Sequence, residues 1–281
     1  MIRIGRWCAM LCMAGGMTTM AHARDLPLWE AGLGVAAIHL PDYRGSDESH
    51  AYVLPLPYFV YRGERLKADR NGLRGVLLDT DRVNLDLSLS ASIPVDSERN
   101  RARAGMPDLK PTIEIGPIAS ITLLRSANER VKLDLRVPVR AAFTVERSPR
   151  DVGVVISPHL NVDIRDVGAP VGQRGWNLGL LAGPIYATER QHDYFYGVPA
   201  AFATATRPAY SASGGYSGAQ FIAALTRRFP RFWVGGYVRH DRLDGAAFES
   251  SPLVRTRGYT TAGIGIAWML GESERRVAAD D

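Results

Sequence analysis

The chain has 281 residues, a formal net charge of +5 and only 2 cysteines. Both of these, Cys8 and Cys12, lie in the first 23 residues, so the remainder can hold no disulfide, thiolate metal site or cysteine nucleophile. The basic residues are few in excess and scattered, which argues against nucleic acid as a partner.

The N-terminus reads as a cleavable signal peptide over residues 1–23. Arg3 and Arg6 form a positive start, Trp7 to Met20 is uncharged and mostly apolar, and Ala21-His22-Ala23 places small residues where signal peptidase cuts, after Ala23. The apolar run is too short for a spanning helix, which takes roughly 20 residues. A lipoprotein would carry a small residue before its cysteine, where Leu11 precedes Cys12. Beyond this segment no apolar stretch reaches ~18 residues, which leaves the closed barrel as the structure able to satisfy every backbone group in lipid.

Period-two alternation then carries the reading. From Arg82 to Pro94, Val83, Leu85, Leu87, Leu89, Ala91 and Ile93 oppose Asn84, Asp86, Ser88, Ser90 and Ser92. Val131, Leu133, Leu135, Val137 and Val139 oppose Lys132, Asp134, Arg136 and Arg140. Val152 to Arg165 repeats the pattern, with Val154, Ile156, Leu160, Val162 and Ile164 opposite Ser157, His159, Asn161, Asp163 and Arg165. Strands of ~12 residues are about twice the usual globular length and suit a tilted membrane crossing.

Strands are expected near 28–38, 51–62, 65–70, 72–78, 82–94, 110–124, 130–143, 152–165, 175–186, 217–228, 231–242 and 257–269. Long polar gaps at 39–50, 95–109, 187–216 and 243–256 alternate with short ones at 63–64, 79–81, 125–129 and 229–230. The expected architecture is all-β, a transmembrane up-and-down antiparallel barrel of about twelve strands over residues 24–270, with ten as the alternative if the hairpin turn at Asn71-Gly72 is not one. Trp29, Trp176, Phe232 and Trp268 fall at periplasmic strand ends, and Tyr52, Phe143, Tyr186, Tyr216 and Tyr259 at extracellular ones, as two aromatic belts. Pro55, Pro57, Pro117, Pro138, Pro158 and Pro184 sit inside these strands, where each removes a ladder donor and calls for a bulge or bend.

Three stretches resemble the MipA/OmpV family of outer-membrane proteins. They are Pro41-Asp42-Tyr43-Arg44-Gly45-Ser46, Leu54-Pro55-Leu56-Pro57-Tyr58, and the run from Arg82 through Gly105-Met106-Pro107-Asp108 to Ile115-Gly116-Pro117. The resemblance implies an outer-membrane barrel surrounded by lipid and lipopolysaccharide. For founding members it implies a scaffold linking a lytic transglycosylase to murein synthase, or a role in host-cell adhesion. Barrels of this kind commonly end on an aromatic residue. Here Trp268 is followed by Met269-Leu270 and a charged tail over residues 271–281, expected to be disordered and periplasmic.

No catalytic, cofactor or metal site is expected. The lumen-facing set Asp86, Glu114, Asp134, Arg136, Arg140, His159, Asp163 and Arg165 mixes acids and bases, as packing of a polar barrel interior requires. Ser157 and His159 share a strand face, but that face points to the lumen. His39, His50, His159, His192 and His240 lack metal-ligand spacing. The loop at 187–216 carries Tyr194, Phe195, Tyr196, Phe202 and Tyr210, and either presents a binding surface or folds inward over the lumen. The functional expectation is a non-enzymatic scaffold. The alternatives are a small-solute channel, or an adhesin or receptor using the long loops.

Overall fold

The computed structural model describes residues 24–63, 66–69, 72–80, 82–170 and 173–279. The signal-peptide expectation, and Asn71 of the hairpin turn, lie outside the described residues. The strands are β1 (Arg24–Pro27), β2 (Trp29–Pro41), β3 (Ser49–Arg62), β4 (Leu66–Asp69), β5 (Gly72–Asp79), β6 (Val83–Ala91), β7 (Thr112–Arg125), β8 (Val131–Thr144), β9 (Asp151–Ile156), β10 (His159–Val167), β11 (Trp176–Ala187), β12 (Gly215–Arg228), β13 (Phe232–Arg242), β14 (Gly258–Glu272) and β15 (Arg276–Ala279). One short helix, α1 (Glu189–Tyr196), lies between β11 and β12. Among the described residues no helix is long and apolar enough to cross a membrane.

Every neighbouring pair is antiparallel, and the ladder runs from β2 round to β8 in chain order. β9 and β10 are two halves of one stave, interrupted at Ser157-Pro158, and both halves bridge β8 to β11. From β11 the ladder continues to β14, which returns to β2 from Ala262↔His39 to Glu272↔Glu30. The result is a closed barrel of twelve staves, as the alternation predicts. Closure leaves no open edge where the ladder is complete, the condition for strands to cross hydrocarbon. Connections of residues 42–48, 92–111, 145–150, 188–214 and 243–257 crowd one end, and short turns at 126–130, 168–175 and 229–231 mark the other. In outer-membrane barrels the short turns are periplasmic.

The in-strand prolines fall into place. Pro158 sits in the break between β9 and β10, and Pro138 on β8 faces that break, its carbonyl accepting from Ser157 N at 3.2 Å. Pro117 is skipped in the β7–β8 ladder, which steps from Ile115↔Ala141 to Ile118↔Pro138, and Pro184 borders the register shift between β11 and β12. Pro55 and Pro57 have a different reason. Arg62 N donates to Leu28 O at 2.8 Å and Asp42 N to Glu48 O at 3.1 Å, so even-numbered residues of β3 bond toward β2. By the alternation of an antiparallel ladder, odd-numbered residues point their backbone the other way. Among the described residues that side carries little pairing. β4 has 4 residues and reaches β3 only at Tyr61↔Ala68 and Arg62↔Lys67. Among the described residues, Ser49 to Val60 have no ladder partner on that flank, and Pro55 and Pro57 delete two of the donors that would be stranded there.

The belts are partly as expected. Trp29 and Trp268 are exposed on the outer face at the short-turn end, and Tyr186 packs against Tyr216 near the opposite rim with ring centroids 5.7 Å apart. Tyr259 is a correction: its hydroxyl accepts from Arg44 Nε at 3.0 Å inside the barrel, because a buried arginine there needs an acceptor. Tyr52 also turns inward, by the parity of β3. The charged tail is a second correction. Instead of disorder, β15 pairs with β1 from Arg24↔Ala279 to Pro27↔Arg276, so backbone pairing outweighs the polar composition.

A barrel closed through its first and last long strands resists detergent until heated. Gels of outer-membrane fractions are expected to show a compact band that shifts on boiling; a soluble protein with one unchanged band would refute the closed barrel.

Candidate functional site

The lumen has two unlike walls. On β6, β7, β8 and β10 the inward residues are polar and charged, and they neutralise one another. Arg136 bonds Asp134 at 3.1 Å and Asp163 at 3.3 Å, Lys132 reaches Asp134 at 3.1 Å, and Arg140 meets Glu114 at 2.9 Å. Thr122 and Asn161 fill remaining acceptors on Asp134 and Asp163. Buried carboxylates without such partners would cost several kcal/mol, so this wall reads as a packed electrostatic lattice (roughly that penalty per ion). Of the residues singled out in the sequence, the structure joins Asp134, Arg136 and Asp163 into one cluster and Glu114 with Arg140 into another. His159 bonds the backbone oxygen of Ser157 at 2.7 Å through Nδ1, so its imidazole does not address the Ser157 hydroxyl. Among the described residues no group of three or more His, Cys, Asp or Glu side chains stands ready to hold a metal.

The opposite wall, on β13, β14, β2 and β3, is apolar at mid-height, between the buried Arg239–Asp241 pair above and Glu30 below. The ladder register puts Tyr237, Gly263 and Ile38 in one row, and Gly235, Gly265, Ala36 and Leu54 in the next. The glycines are spaces for neighbouring side chains. A Cβ on Gly263 would lie 2.7 Å from both Ile38 and Tyr237, and one on Gly235 would collide with the Trp233 ring. This arc was not legible as a unit in the sequence, because its inward face alternates small with large residues rather than polar with apolar.

Below the apolar arc lies an ionic floor. Glu30 on β2 is fully buried and receives Arg228 Nη2 at 2.9 Å, Arg62 Nη1 at 3.2 Å and the Tyr58 hydroxyl at 3.2 Å. Arg228 comes from β12, two staves beyond β14's ladder with β2, so the contact spans the wall chordwise. Tyr58 and Trp233 lie alongside, with ring centroids 6.3 Å apart.

Above, the long loops form a cap with its own hydrophobic core. Tyr43, Val95, Met106, Leu109, Tyr196, Val198, Leu243, Phe248 and Leu253 are buried together, drawn from the connections at 42–48, 92–111, 188–214 and 243–257. Tyr196 stacks on Phe248 at 3.6 Å. The loop aromatics expected either to be exposed or to fold inward do the latter: Tyr194, Phe195, Phe202 and Tyr210 pack around this core. Polar cross-links complete it. Asn100 donates to Asp42 at 2.8 Å, the Tyr43 hydroxyl to Leu253 O at 2.8 Å, and the Tyr196 hydroxyl to Arg44 O at 2.9 Å. Arg44 points below the cap to Asp241 at 3.2 Å and Ser217 O at 2.9 Å. Gly45 makes the turn with φ of 93°, a backbone conformation that favours glycine. The family-like stretches at Pro41 to Ser46 and Gly105 to Asp108 are thus cap-building segments.

Sequence reasoning missed one histidine pair. His192, fully buried on α1, hydrogen-bonds Ser213 O at 2.6 Å through Nδ1 and meets the Ser217 hydroxyl through Nε2. With Ser217 buried and the other nitrogen spent on a carbonyl, the pair fastens α1 to β12. Only the fold brings residues 25 positions apart together here.

At the short-turn end a cleft of about 490 Å³ opens beside the β1–β15 clasp. It is lined by Leu26, Pro27, Arg174, Arg227, Arg228, Phe229, Pro230, Glu272 and Arg276. Arg227 lies over the Phe229 ring at 4.8 Å, which holds its guanidinium at the cleft wall.

Two tests follow from the floor and the cap. Glu30→Ala leaves Arg62 and Arg228 facing each other without their anion, and should cost about 3–5 kcal/mol in denaturant unfolding of the refolded barrel; an unchanged midpoint would rule out the floor as a stabilising element. Burial, reinforced by the nearby Arg44 charge and opposed by the Ser213 carbonyl, holds the His192 imidazole below its ordinary value of 6.5. The opened loop therefore binds more protons than the folded cap, so the cap is at full strength above about pH 6.5 and weakens as the pH falls. Limited proteolysis within 188–214 should accelerate from pH 7.5 to pH 5, and His192→Gln should flatten that dependence. Equal cleavage at both pH values in the wild type would contradict it.

No curated protein matches the chain. Among solved structures it is similar to the P. putida toluene transporter TodX, with 12% identity over 88% of this chain and 68% of that one and a TM-score of 0.28. Residues 33–270 match the family described as MltA-interacting protein MipA. That span runs from within β2 to within β14, with the whole cap included, and it places the chain in the MipA family of outer-membrane β-barrels.

Proposed function

We propose that the chain is a non-enzymatic docking protein whose periplasmic face recruits a lytic transglycosylase, and through it a murein synthase, to the outer membrane. The observation that carries this reading is the arginine-rich cleft beside the β1–β15 clasp. Arg174 and Arg227 line it, beside Arg228, which is held by Glu30 at 2.9 Å, and Arg276, which pairs with Glu272 at 3.5 Å. Such a surface suits an acidic, partly apolar segment of a partner, with Phe229, Pro230, Leu26 and Pro27 as the apolar floor. The family's description as MltA-interacting supports the identity of the partner. In this reading residues 1–23 are a signal peptide removed after Ala23, and the outer face sits among lipid and lipopolysaccharide.

The axial channel has less support, because the cap core and the Glu30 floor would both have to move to open a continuous path. The adhesin reading loses its aromatic surface to the cap core. Charge reversal tests docking: Arg174→Glu combined with Arg227→Glu should reduce recovery of the transglycosylase from envelope extract at least tenfold, with the heat-shifted band intact. Undiminished recovery by the double variant would sink the proposed surface. Absence of any transglycosylase from the wild-type eluate would sink the docking role itself.

A further inference from the structure

At the short-turn rim an arginine lies on the outside of the barrel. The faces of β12 alternate, so Arg228 turns inward to Glu30 while Arg227 shares the outer face with the exposed Leu225. The β11–β12 ladder reaches Asn177↔Thr226, and its continuation sets Trp176 opposite Arg227 on that face. The guanidinium carbon of Arg227 is 5.8 Å from the Trp176 ring centroid and 4.8 Å from that of Phe229, so two aromatic faces hold one cation. Phe229 stacks on Phe232 at 4.4 Å, and Phe232 pairs with Trp268 across β13 and β14. Arg227 therefore sits within the aromatic belt that marks headgroup level.

A cation at that depth calls for an anion. Among the described residues no carboxylate pairs with Arg227, and its hydrogen bond to Arg174 O is a weak one at 3.5 Å. The nearby acids are already engaged: Glu30 holds Arg228, and Glu272 lies 3.5 Å from Arg276. At the opposite rim the outer-face Arg242 has its own carboxylate, Asp244, at 2.7 Å. Beside Arg227 opens the cleft of about 490 Å³, with room for a phosphate and its glycerol arm. Toward the middle of the bilayer, Leu225 pairs with Gly236 and Gly236 with Ile264 in one outer row. Leu225 is 41% and Ile264 70% exposed, and the glycine between them carries no side chain, which leaves a trough leading up from the arginine.

We propose that this rim binds one anionic glycerophospholipid of the periplasmic leaflet, of the phosphatidylglycerol kind. The phosphodiester meets Arg227, whose clamped guanidinium offers a fork of N–H donors to two phosphate oxygens. The glycerol head lies in the cleft, and one acyl chain follows the trough over Gly236. Phosphatidylethanolamine carries the same phosphate but adds an ammonium. The cleft meets that ammonium with arginines and, among the described residues, with no carboxylate outside an ion pair, which selects the anionic head. Lipid site and docking cleft share Arg227, but the lipid is bound by the chain alone and does not rest on the docking role. Trp176 belongs to the clamp and not to the lining of the cleft.

The test is native mass spectrometry of the full chain folded in a neutral detergent, titrated with dioleoyl phosphatidylglycerol and, separately, with dioleoyl phosphatidylethanolamine. Retention of one phosphatidylglycerol per chain is expected, with phosphatidylethanolamine held about tenfold more weakly. Arg227→Gln and Trp176→Leu should each weaken phosphatidylglycerol binding about tenfold, the first by removing the charge and the second by releasing its clamp. Arg242→Gln, the same change at the opposite rim, should leave it unaltered. Trp176→Leu should also leave recovery of the transglycosylase unchanged, which separates the lipid site from the docking surface. The boiled-against-unboiled shift verifies folding of each variant. Phosphatidylglycerol binding by Arg227→Gln equal to that of the wild type overturns the proposal, as does equal retention of the two lipids by the wild type. Displacement of the lipid by millimolar glycerol 3-phosphate also overturns it, because the site would then be one for soluble phosphate esters.

Discussion

Hydrogen bonding of the backbone in a medium without water governs this molecule. A strand that crosses hydrocarbon must find a partner on both sides, and an unpaired group there costs several kcal/mol (the order of a lost buried hydrogen bond). Closure of β14 onto β2 satisfies that demand for the ends of the sheet. The in-strand prolines then sort themselves by the same rule. Those on β8, β10's flank and β11 fall at breaks and register shifts, and those on β3 fall where, among the described residues, no ladder partner receives a donor. The constraint also explains why the interior is assembled as it is. Once the ladder is fixed, each inward position has one fate, and the charges of β7, β8 and β10 pair with one another.

The cap obeys a different physics. It lies beyond the ladder, in connections that carry little regular structure, and its order comes from burial. Phe248, Leu243 and Leu253 are wholly inaccessible, and Tyr196 lies flat on Phe248. A hydrophobic core built from four separate loops holds them against the entropy that would otherwise keep loops of this length mobile. Arg44 and Asp241 join this upper core to the lumen network, so the two are mechanically continuous.

Alternation made the fold legible. Val83 to Ala91 and Val131 to Val139 announce their strands and their faces, and the twelve-stave count follows from the spacing of such runs. The polar wall was legible for the same reason, since its charges interrupt the apolar period. Three things were hidden. The Glu30 floor joins β2, β3 and β12, and no local pattern links residues 198 positions apart. The His192–Ser217 pair depends on how one loop folds back. The order of the tail was masked by its charge, because composition speaks for solvent exposure and is silent on backbone pairing with Arg24–Pro27. The family-like stretches were visible as motifs, but their work in holding four loops together required the fold.

The clasp of β1 with β15 has a kinetic meaning. The seam of the barrel, β14 on β2, joins the first long strand to the last, and the clasp continues that seam beyond the rim. Contacts of such separation carry the greatest loop-closure entropy in the chain, and they cannot form until nearly all of it has been delivered. Zipping from within is open to the ten intervening staves, each beside its sequence neighbour, whereas the seam is necessarily last. A short strand at either terminus that pairs outside the membrane holds the two edges at high local concentration while the final ladder registers, so the clasp acts on the rate of closure as well as on the finished barrel.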